Sequence, residues 1–371
     1  MSIFSALRSI TSPAQDTPRP ISLGLQGGGV YGAFTWGVLD RLLDEERLPF
    51  DGISGASAGA INAVVVADGM ARGGGRQGAQ AALRKFWSAL SQASRFSPLQ
   101  RTPLDYLIGR WTLETSPAYH MMQMMSVAMA PLQAAPFAIN PMRDLLASLI
   151  DFDRVRDCDG LRLYVQATNV RTGKGKVFAR EEMDAQRLMA AICLPQVFAA
   201  VEIDGEAYWD GSYVGNPALA PLIAPGCSRD LVIVQINPIA RVELPRSVTD
   251  INSRVNEIAF NISMMREEAA IQGMHRVIDE MGGEEVKAAN VRTHLISGTD
   301  TLSTFTLSSK YNVEWAFVSH LHDLGFAAAD RWLADHFDDI GVTSTLDPDP
   351  IYHAEHAVAK ASIEPARRDA E

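Results

Sequence analysis

The pattern with the clearest chemical potential in this sequence is a serine between two glycines, Gly55-x-Ser57-x-Gly59. A segment that predicts a short strand, 50–54, precedes it, and the apolar segment 60–66 after it is compatible with a helix. A sharp strand-to-helix turn of this kind lifts a serine hydroxyl above the edge of a sheet. The glycines are needed because larger side chains would collide with the adjoining strand and helix. The pattern predicts that Ser57 is a nucleophile.

A serine hydroxyl needs an adjacent base, and the sequence offers both carboxylates and histidines. Asp210 stands out because it follows a predicted strand over 201–208 and is trailed at once by Gly211 and Ser212. Such a turn would place a carboxylate at the sheet edge, although an ordinary Asp-Gly turn accounts for the same residues. The alternative is a histidine base in the chain order serine, acid, histidine. The downstream histidines include His275, His294, His320, His322 and His336, none of them in a distinctive motif.

A glycine-rich loop, Gly27-Gly28-Gly29-x-x-Gly32, follows a predicted strand over 21–26 and opens a predicted helix. Consecutive backbone N–H groups at a helix N-terminus form a cradle for negative charge. The tetrahedral intermediate of ester hydrolysis carries such a charge. The loop therefore predicts an oxyanion hole, with Gly28 and Gly29 as its principal donors.

The same loop also satisfies the G-x-G-x-x-G fingerprint of dinucleotide-binding folds. That interpretation requires an acidic residue at the carboxyl end of the second strand, where it would bind the ribose. Asp51 lies at a suitable separation, but it stands at the beginning of that strand, and the Ser57 turn occupies the far end. A dinucleotide-binding oxidoreductase remains an alternative of another class, and a purely structural turn is a third.

The rest of the chain alternates predicted strands with helices, which is typical of a layered α/β sheet. A helix is predicted over 80–90, and further strands are predicted over 161–168, 201–208, 231–236 and 291–296. We expect one catalytic domain over 21–345. The proline-bearing segment 1–20 predicts a flexible lead-in, and 346–371 predicts a loose tail.

The segment 96–150 differs from its surroundings because prolines break it into short pieces and it is rich in methionine. Methionine adapts to irregular apolar shapes, so the segment predicts a helical cap or lid that offers an acyl-chain pocket. Core packing accounts for the same composition. The methionines concerned are Met121, Met122, Met124, Met125 and Met129.

Taken together, the three motifs resemble the patatin-like phospholipase family over roughly residues 21–230. The resemblance implies a three-layer α/β/α sheet, a Ser57–Asp210 dyad without histidine, and hydrolysis of acyl esters of phospholipids or other lipids. It implies no metal or other cofactor. It also assigns the oxyanion N–H groups to Gly27, Gly28 and Gly29. A short-chain carboxylesterase or thioesterase without a phospholipid role is the nearest alternative.

Two positions depart from the family pattern. Many members have Arg or Lys just before the last glycine of the loop, where this chain has Tyr31. One positive charge near the oxyanion is therefore missing, which bears on preference for anionic head groups more than on the chemistry. The acid motif ends in Ser212 instead of the commoner Gly or Ala, a small change that we expect to be tolerated.

The overall charge and composition limit the partners. The formal net charge of −11 disfavours a nucleic-acid partner, and any contact with a bilayer would have to be local and apolar. No stretch approaches the roughly 20 apolar residues of a spanning helix, and the N-terminus lacks a signal-peptide core. Three scattered cysteines, Cys158, Cys193 and Cys227, fit a reducing compartment. We expect a cytoplasmic protein, with peripheral membrane contact and oligomeric state left open.

Overall fold

The computed structural model describes residues 17–128, 141–195, 197–241, 244–281, 283 and 290–346. The predicted lead-in up to residue 16 and the predicted tail beyond Leu346 lie outside these residues. The strands are β1 (Ile21–Leu25), β2 (Phe50–Gly55), β3 (Arg162–Asn169), β4 (Gly175–Ala179), β5 (Val201–Ile203), β6 (Glu206–Asp210), β7 (Asp230–Gln235) and β8 (Arg292–Ser297). The α-helices are α1 (Gly32–Asp44), α2 (Ala58–Gly69), α3 (Gly75–Ala93), α4 (Pro103–Leu107), α5 (Pro117–Ala128), α6 (Pro141–Leu149), α7 (Phe152–Arg156), α8 (Ala185–Ile192), α9 (Val248–Met281), α10 (Thr299–Leu302) and α11 (Trp315–His336).

The strands form one mixed sheet, in which β5-β6-β3-β2-β1-β7-β8 is the succession of hydrogen-bonded neighbours and β4 also pairs with β3. Strands β3, β2, β1, β7 and β8 run parallel, whereas β4 and β6 are antiparallel to β3. Every residue of β1 and β7 is buried, as expected for parallel strands covered on both faces. The carboxyl ends of β1, β2 and β7 therefore meet at one edge of the sheet.

Helices cover both faces of this sheet. Val232 and Val234 of β7 point into the larger core, which also contains α1, α2, α3 and α11. Leu231 and Ile233 alternate with them and point into a smaller core on the opposite face, where they pack with Met264 of α9. The predicted three-layer α/β/α architecture is confirmed.

One predicted strand is wrong in its extent. The segment predicted as a single strand over 201–208 is the hairpin of β5 and β6, turned by Asp204 and Gly205 with φ of 52° and 79°. A two-residue turn with both central residues left-handed matches the twist of a tight hairpin, and Asp-Gly is a preferred pair for it. Strand β4 was not predicted, and the helix predicted over 80–90 extends over 75–93.

The methionine-rich segment contains short helices, as expected for the predicted cap. Helices α4, α5 and α6 occupy its described parts. Residues 129–140, including Met129, lie outside the described residues. Whether this segment moves as a lid remains a prediction.

The contact between α2 and β1 leads to a test of the fold. A Cβ on Gly59 would lie far inside van der Waals contact with the carbonyl oxygen of Leu25, which is backbone and has little room to shift. We expect Gly59→Ala to lower the free energy of unfolding by at least about 3 kcal/mol. Gly74→Ala is the matched control, because Gly74 has negative φ and open space around it. That change should stay within about 1 kcal/mol in urea titrations, and equal stability of both variants would contradict the packing described.

Candidate active site

Ser57 occupies the turn between β2 and α2 in a strained backbone conformation. Its φ of 51° and ψ of −126° are rare for a residue with a side chain, and such strain collects at functional sites. Its N–H donates to the carbonyl oxygen of Ala191 at 3.1 Å, and its own carbonyl accepts the N–H of Ile61 at 3.1 Å. The side chain is nearly buried, with 7% of its surface exposed. These contacts hold the serine at the carboxyl end of β2, as the glycine pattern predicts.

The pairing of β3 explains how Asp210 reaches the same place. Strand β2 pairs with β3 up to Gly55, which lies opposite Val165, and β4 occupies the other edge of β3. Because β4 also pairs with Ala167, the partner of Asp210, β6 must use the edge that β2 has left. Strand β6 therefore meets β2 end to end, and its last residue arrives just beyond the end of β2.

The glycine loop converges on the same point. A Cβ built on Gly27 would lie 2.5 Å from the Cβ of Ser57 and 2.6 Å from Oγ of Ser212. Only a glycine fits there, because both neighbours are fixed by their own turns. The three predicted motifs, far apart in the sequence, thus come together in the structure.

The carboxylate of Asp210 is fully buried and incompletely satisfied. Its Oδ1 accepts the N–H of Ser212 at 2.8 Å, while Oδ2 has no hydrogen-bond partner among the described residues. Burial raises the pKa of Asp210 to about 6, and the nearby Ser57 hydroxyl and the Ser212 amide partly oppose this shift. The Ser57 hydroxyl is close enough to the carboxylate to act on its pKa. A carboxylate poised near neutral pH with an open lone pair can accept a proton.

The predicted oxyanion donors do not all have free N–H groups. The N–H of Gly27 donates to Oδ1 of Asn216 at 2.6 Å, and the same side chain donates from Nδ2 to the carbonyl oxygens of Gly27 and Phe260. The Gly27 N–H is therefore used to hold the loop and is not free to face a substrate. This corrects the prediction that Gly27 supplies an oxyanion N–H group. Among the described residues, the N–H groups of Gly28 and Gly29 have no acceptor, so they remain the candidate donors.

A cavity of about 450 Å³ opens onto Ser57, Gly28 and Gly29. This volume is within the usual range for small-molecule sites. Most of its wall is apolar and comes from α5, α9, the loops after α8 and β6, and the 3₁₀ helix Leu307–Tyr311. The apolar lining includes Met122, Leu194, Val197, Tyr213, Phe260 and Leu307. Ser57 is thus exposed to an apolar pocket.

The remaining glycines of the motifs act through close packing. A Cβ on Gly32 would lie 2.6 Å from that of Ala58, and one on Gly55 would lie 2.5 Å from the backbone of Gly59. A Cβ on Gly211 would overlap the carbonyl oxygen of Gln166. These positions bring the loop, the serine turn and the acid turn to within backbone contact of their neighbours.

The methionine cluster divides between cavity and surface. Met122 lines the cavity, whereas the side chains of Met121 and Met124 are 61% and 76% exposed. The side chain of Met125 and all of Met129 lie outside the described part. Met122 thus supports the predicted acyl pocket, whereas Met121 and Met124 point to the exposed side of the helix.

The alternative bases and ligands lie elsewhere. None of the five candidate histidines lines this cavity; His294 pairs with Asp230, and His322 pairs with Asp40. Asp51, the residue required by the dinucleotide interpretation, lies at the start of β2 and accepts hydrogen bonds from Arg162 and the Ser228 N–H. It is therefore at the opposite end of the strand from the glycine loop.

Within the described residues, no group of three or more His, Cys, Asp or Glu side chains could hold a metal ion. In the same part of the chain, no helix has both the length and the apolar character needed to cross a membrane.

Sequence reasoning missed two side chains that shape this site. Asn216 precedes a proline and belongs to none of the three motifs, and its role as the anchor of Gly27 depends on contacts made by folding. Lys310 lines the cavity from a segment without any recognisable motif. Its position follows from tertiary packing alone.

An α/β/α sheet with a serine turn, a buried carboxylate and a glycine loop at one edge defines a class of acyl hydrolase folds. The profile of the family described as patatin-like phospholipase matches residues 23–223, over half of the chain. The chain belongs to the patatin-like phospholipase family, which is a family of hydrolases.

Comparison with solved structures finds distant likenesses. VipD from Legionella pneumophila is 13% identical, with a TM-score of 0.38, and the match covers 95% of this chain and 76% of that one. ExoU from Pseudomonas aeruginosa, in its heterodimeric complex with SpcU, is 14% identical with a TM-score of 0.35. That match covers 94% of this chain and 60% of ExoU. No curated protein matches the chain.

The burial of Asp210 predicts an unusual pH dependence of stability. Its pKa is raised from 3.8 to about 6 on folding, so the unfolded chain ionises first. The contribution of the neutral Asp210 carboxyl to the free energy of unfolding is therefore fully present below about pH 4 and is lost as the pH rises through about 6. Asp210→Asn removes the buried charge, and we expect it to raise the free energy of unfolding at pH 7.5 by roughly 2 to 3 kcal/mol relative to its effect at pH 4.

Urea titrations between pH 4 and pH 8 measure this difference. Asp204→Asn is the matched control, because Asp204 is an exposed carboxylate in a left-handed turn that Asn also tolerates. It should show no such pH-dependent gain. An Asp210→Asn variant that is less stable than the wild type at pH 7.5, but equal at pH 4, would contradict the burial described.

Proposed function

We propose that this protein is a serine acyl hydrolase that cleaves carboxylic ester bonds of lipids through Ser57 and Asp210. The observation that carries the proposal is the juxtaposition of Asp210, buried and with a free carboxylate oxygen, with the strained Ser57 in the wall of an apolar cavity. Membership of a phospholipase family supports a lipid ester as substrate.

In the first half of the reaction, Oγ of Ser57 attacks the ester carbonyl carbon and Asp210 accepts its proton. The carbonyl oxygen becomes an oxyanion, which the N–H groups of Gly28 and Gly29 stabilise. The intermediate then collapses, the bond to the leaving alcohol breaks, and Asp210 returns the proton to the alcohol oxygen. An acyl-enzyme on Ser57 remains.

In the second half, Asp210 takes a proton from water as the water oxygen attacks the acyl carbon. The intermediate collapses, the bond between the acyl carbon and Oγ of Ser57 breaks to release the fatty acid, and Asp210 returns the proton to Oγ. The raised pKa of Asp210 suits this role, because an ordinary aspartate is too weak a base at neutral pH. The base must be ionised, so activity should rise with pH through about 6.

A dyad assignment predicts which substitutions abolish activity. Ser57→Ala and Asp210→Asn should each lower kcat for a p-nitrophenyl ester at least about 10³-fold, because either change removes the nucleophile or its base. A fluorophosphonate should label wild-type Ser57, as read by mass spectrometry of the modified peptide. His120→Gln is the control, since His120 stands next to Tyr119 of the cavity wall and its Nε2 donates to the carbonyl oxygen of Glu114.

That control should keep its activity within about threefold of the wild type. Near-normal hydrolysis by Asp210→Asn, together with loss of activity in a histidine variant, would replace the dyad with a histidine base. Tight binding of a nicotinamide cofactor without labelling of Ser57 would favour the oxidoreductase alternative.

The position of Met122 predicts chain-length selectivity. Met122→Trp places a larger side chain in the cavity and should lower kcat/KM for long acyl chains about tenfold, while short chains are spared. Met121→Trp makes the same change on the exposed side of α5 and should leave the series unchanged. A chain-length series of p-nitrophenyl esters measures both. If the wild type itself prefers the shortest chains and Met122→Trp has no effect, the short-chain esterase alternative is correct.

A further inference from the structure

Lys310 is a buried ammonium group in the wall of the same cavity. It lies in the 3₁₀ helix Leu307–Tyr311, outside the segment 23–223 that the family profile matches, and only 9% of its surface is exposed. Its Nζ donates to Oδ1 of Asn237 and to Oδ1 of Asn256, both at 2.9 Å. An ammonium group has three donors, so one remains after these two bonds.

Lys310 contacts the glycine loop directly and through Asn237. A Cβ on Gly29 would lie 2.7 Å from the backbone oxygen of Lys310, and a Cβ on Gly28 would lie 3.4 Å from Oδ1 of Asn237. Nδ2 of Asn237 donates to the carbonyl oxygen of Gly27 at 2.7 Å. The ammonium group is therefore linked to the loop by two hydrogen bonds through the Asn237 side chain, on the side where Gly28 and Gly29 line the cavity with Ser57.

The positive charge of Lys310 is not neutralised by a direct carboxylate partner among the described residues. The nearest carboxylate in electrostatic terms, Glu257, is itself paired with Arg241 at 2.5 Å and Arg254 at 3.3 Å. The rings of Tyr31 and Phe260 flank the ammonium at 5.5 Å. A buried cation without an ion-pair partner is costly, and such groups are found mainly where function requires the charge.

We propose that Lys310 supplies the positive charge beside the oxyanion that the glycine loop lacks at Tyr31. The inference rests on the proposed function, since it assigns Lys310 a part in the same reaction. In the intermediate, the Gly28 and Gly29 N–H groups donate hydrogen bonds to the negatively charged former carbonyl oxygen. The positive charge of the Lys310 ammonium group attracts the same oxygen. Lys310 then acts as a positioning residue that stabilises charge through space and holds Asn237 against the loop.

The surroundings of Lys310 fix how this contribution depends on pH. Burial lowers the pKa of Lys310 to about 8; Glu257 opposes this shift and Arg241 adds to it. Burial raises the pKa of the three tyrosines around it, Tyr31, Tyr119 and Tyr311. Their phenols stay protonated through pH 8. The charge is present below this pH and is lost as the pH rises through about 8, so activity should fall there.

Hydrolysis of a neutral p-nitrophenyl ester tests the proposal, because this substrate has no anionic head group for Lys310 to bind. We expect Lys310→Met to lower kcat about 100-fold with KM within about threefold. Its kcat should also lose the decline above pH 8 that the wild type shows. Lys310→Arg, which keeps a charge at all these pH values, should recover part of kcat and likewise lack the decline.

Three results would overturn the proposal. The first is a Lys310→Met variant with unchanged kcat, and the second is one whose KM alone rises, which would make Lys310 a binding group. The third is a wild-type profile that is flat from pH 7 to pH 9.5, a measurement that does not depend on any variant folding. Failure of the proposed function is distinguishable, since wild-type protein would then neither react with a fluorophosphonate at Ser57 nor hydrolyse the ester.

Discussion

The site depends on keeping the carboxylate of Asp210 buried, away from bulk solvent. Asp210 has one oxygen bound to the Ser212 N–H and the other without a partner, in full burial. An isolated buried charge lowers the free energy of unfolding, and at Asp210 this loss is offset by the stability of the rest of the core instead of by a counter-ion. A positive partner next to the carboxylate would lower its pKa and remove its ability to take a proton from Ser57. The proposed proton transfer therefore requires that one oxygen of the Asp210 carboxylate has no hydrogen-bond partner.

The same constraint explains why the surrounding turns are so tightly packed. A carboxylate can only act on Ser57 if the two stay within a fraction of an ångström of their relative position. The end-to-end meeting of β2 and β6 along one edge of β3 fixes this position through backbone hydrogen bonds. Gly27 then closes the space between the Ser57 and Ser212 turns, where no side chain fits. The position of these turns is therefore held by strand pairing and by glycine contacts.

Local sequence sufficed for the parts of the site that need special backbone. Gly27, Gly55 and Gly59 allow contacts that any side chain would block, so the turns around Ser57 could be predicted from residue types alone. A single strand was predicted over 201–208 because apolar and polar residues are interspersed on both sides of Asp204 and Gly205, the two residues that turn the chain into the hairpin of β5 and β6. The capture of the Gly27 N–H by Asn216 was not predictable, since that bond joins segments far apart in the sequence.

The part of the chain beyond the family segment completes the site. Strand β7 pairs with β1 and carries Asn237 just past its end, so the glycine loop is supported from both sides only when this strand is present. Gln26, at the end of β1, accepts hydrogen bonds from the N–H groups of Ile236 and Asn237 and donates to Asn261 of α9. These buried amides form one network, and such networks stabilise a structure only when every member is satisfied. Residues 23–223 contribute Ser57 and Asp210, the proposed nucleophile and its base, whereas the geometry of the glycine loop is set jointly with β7 and α9.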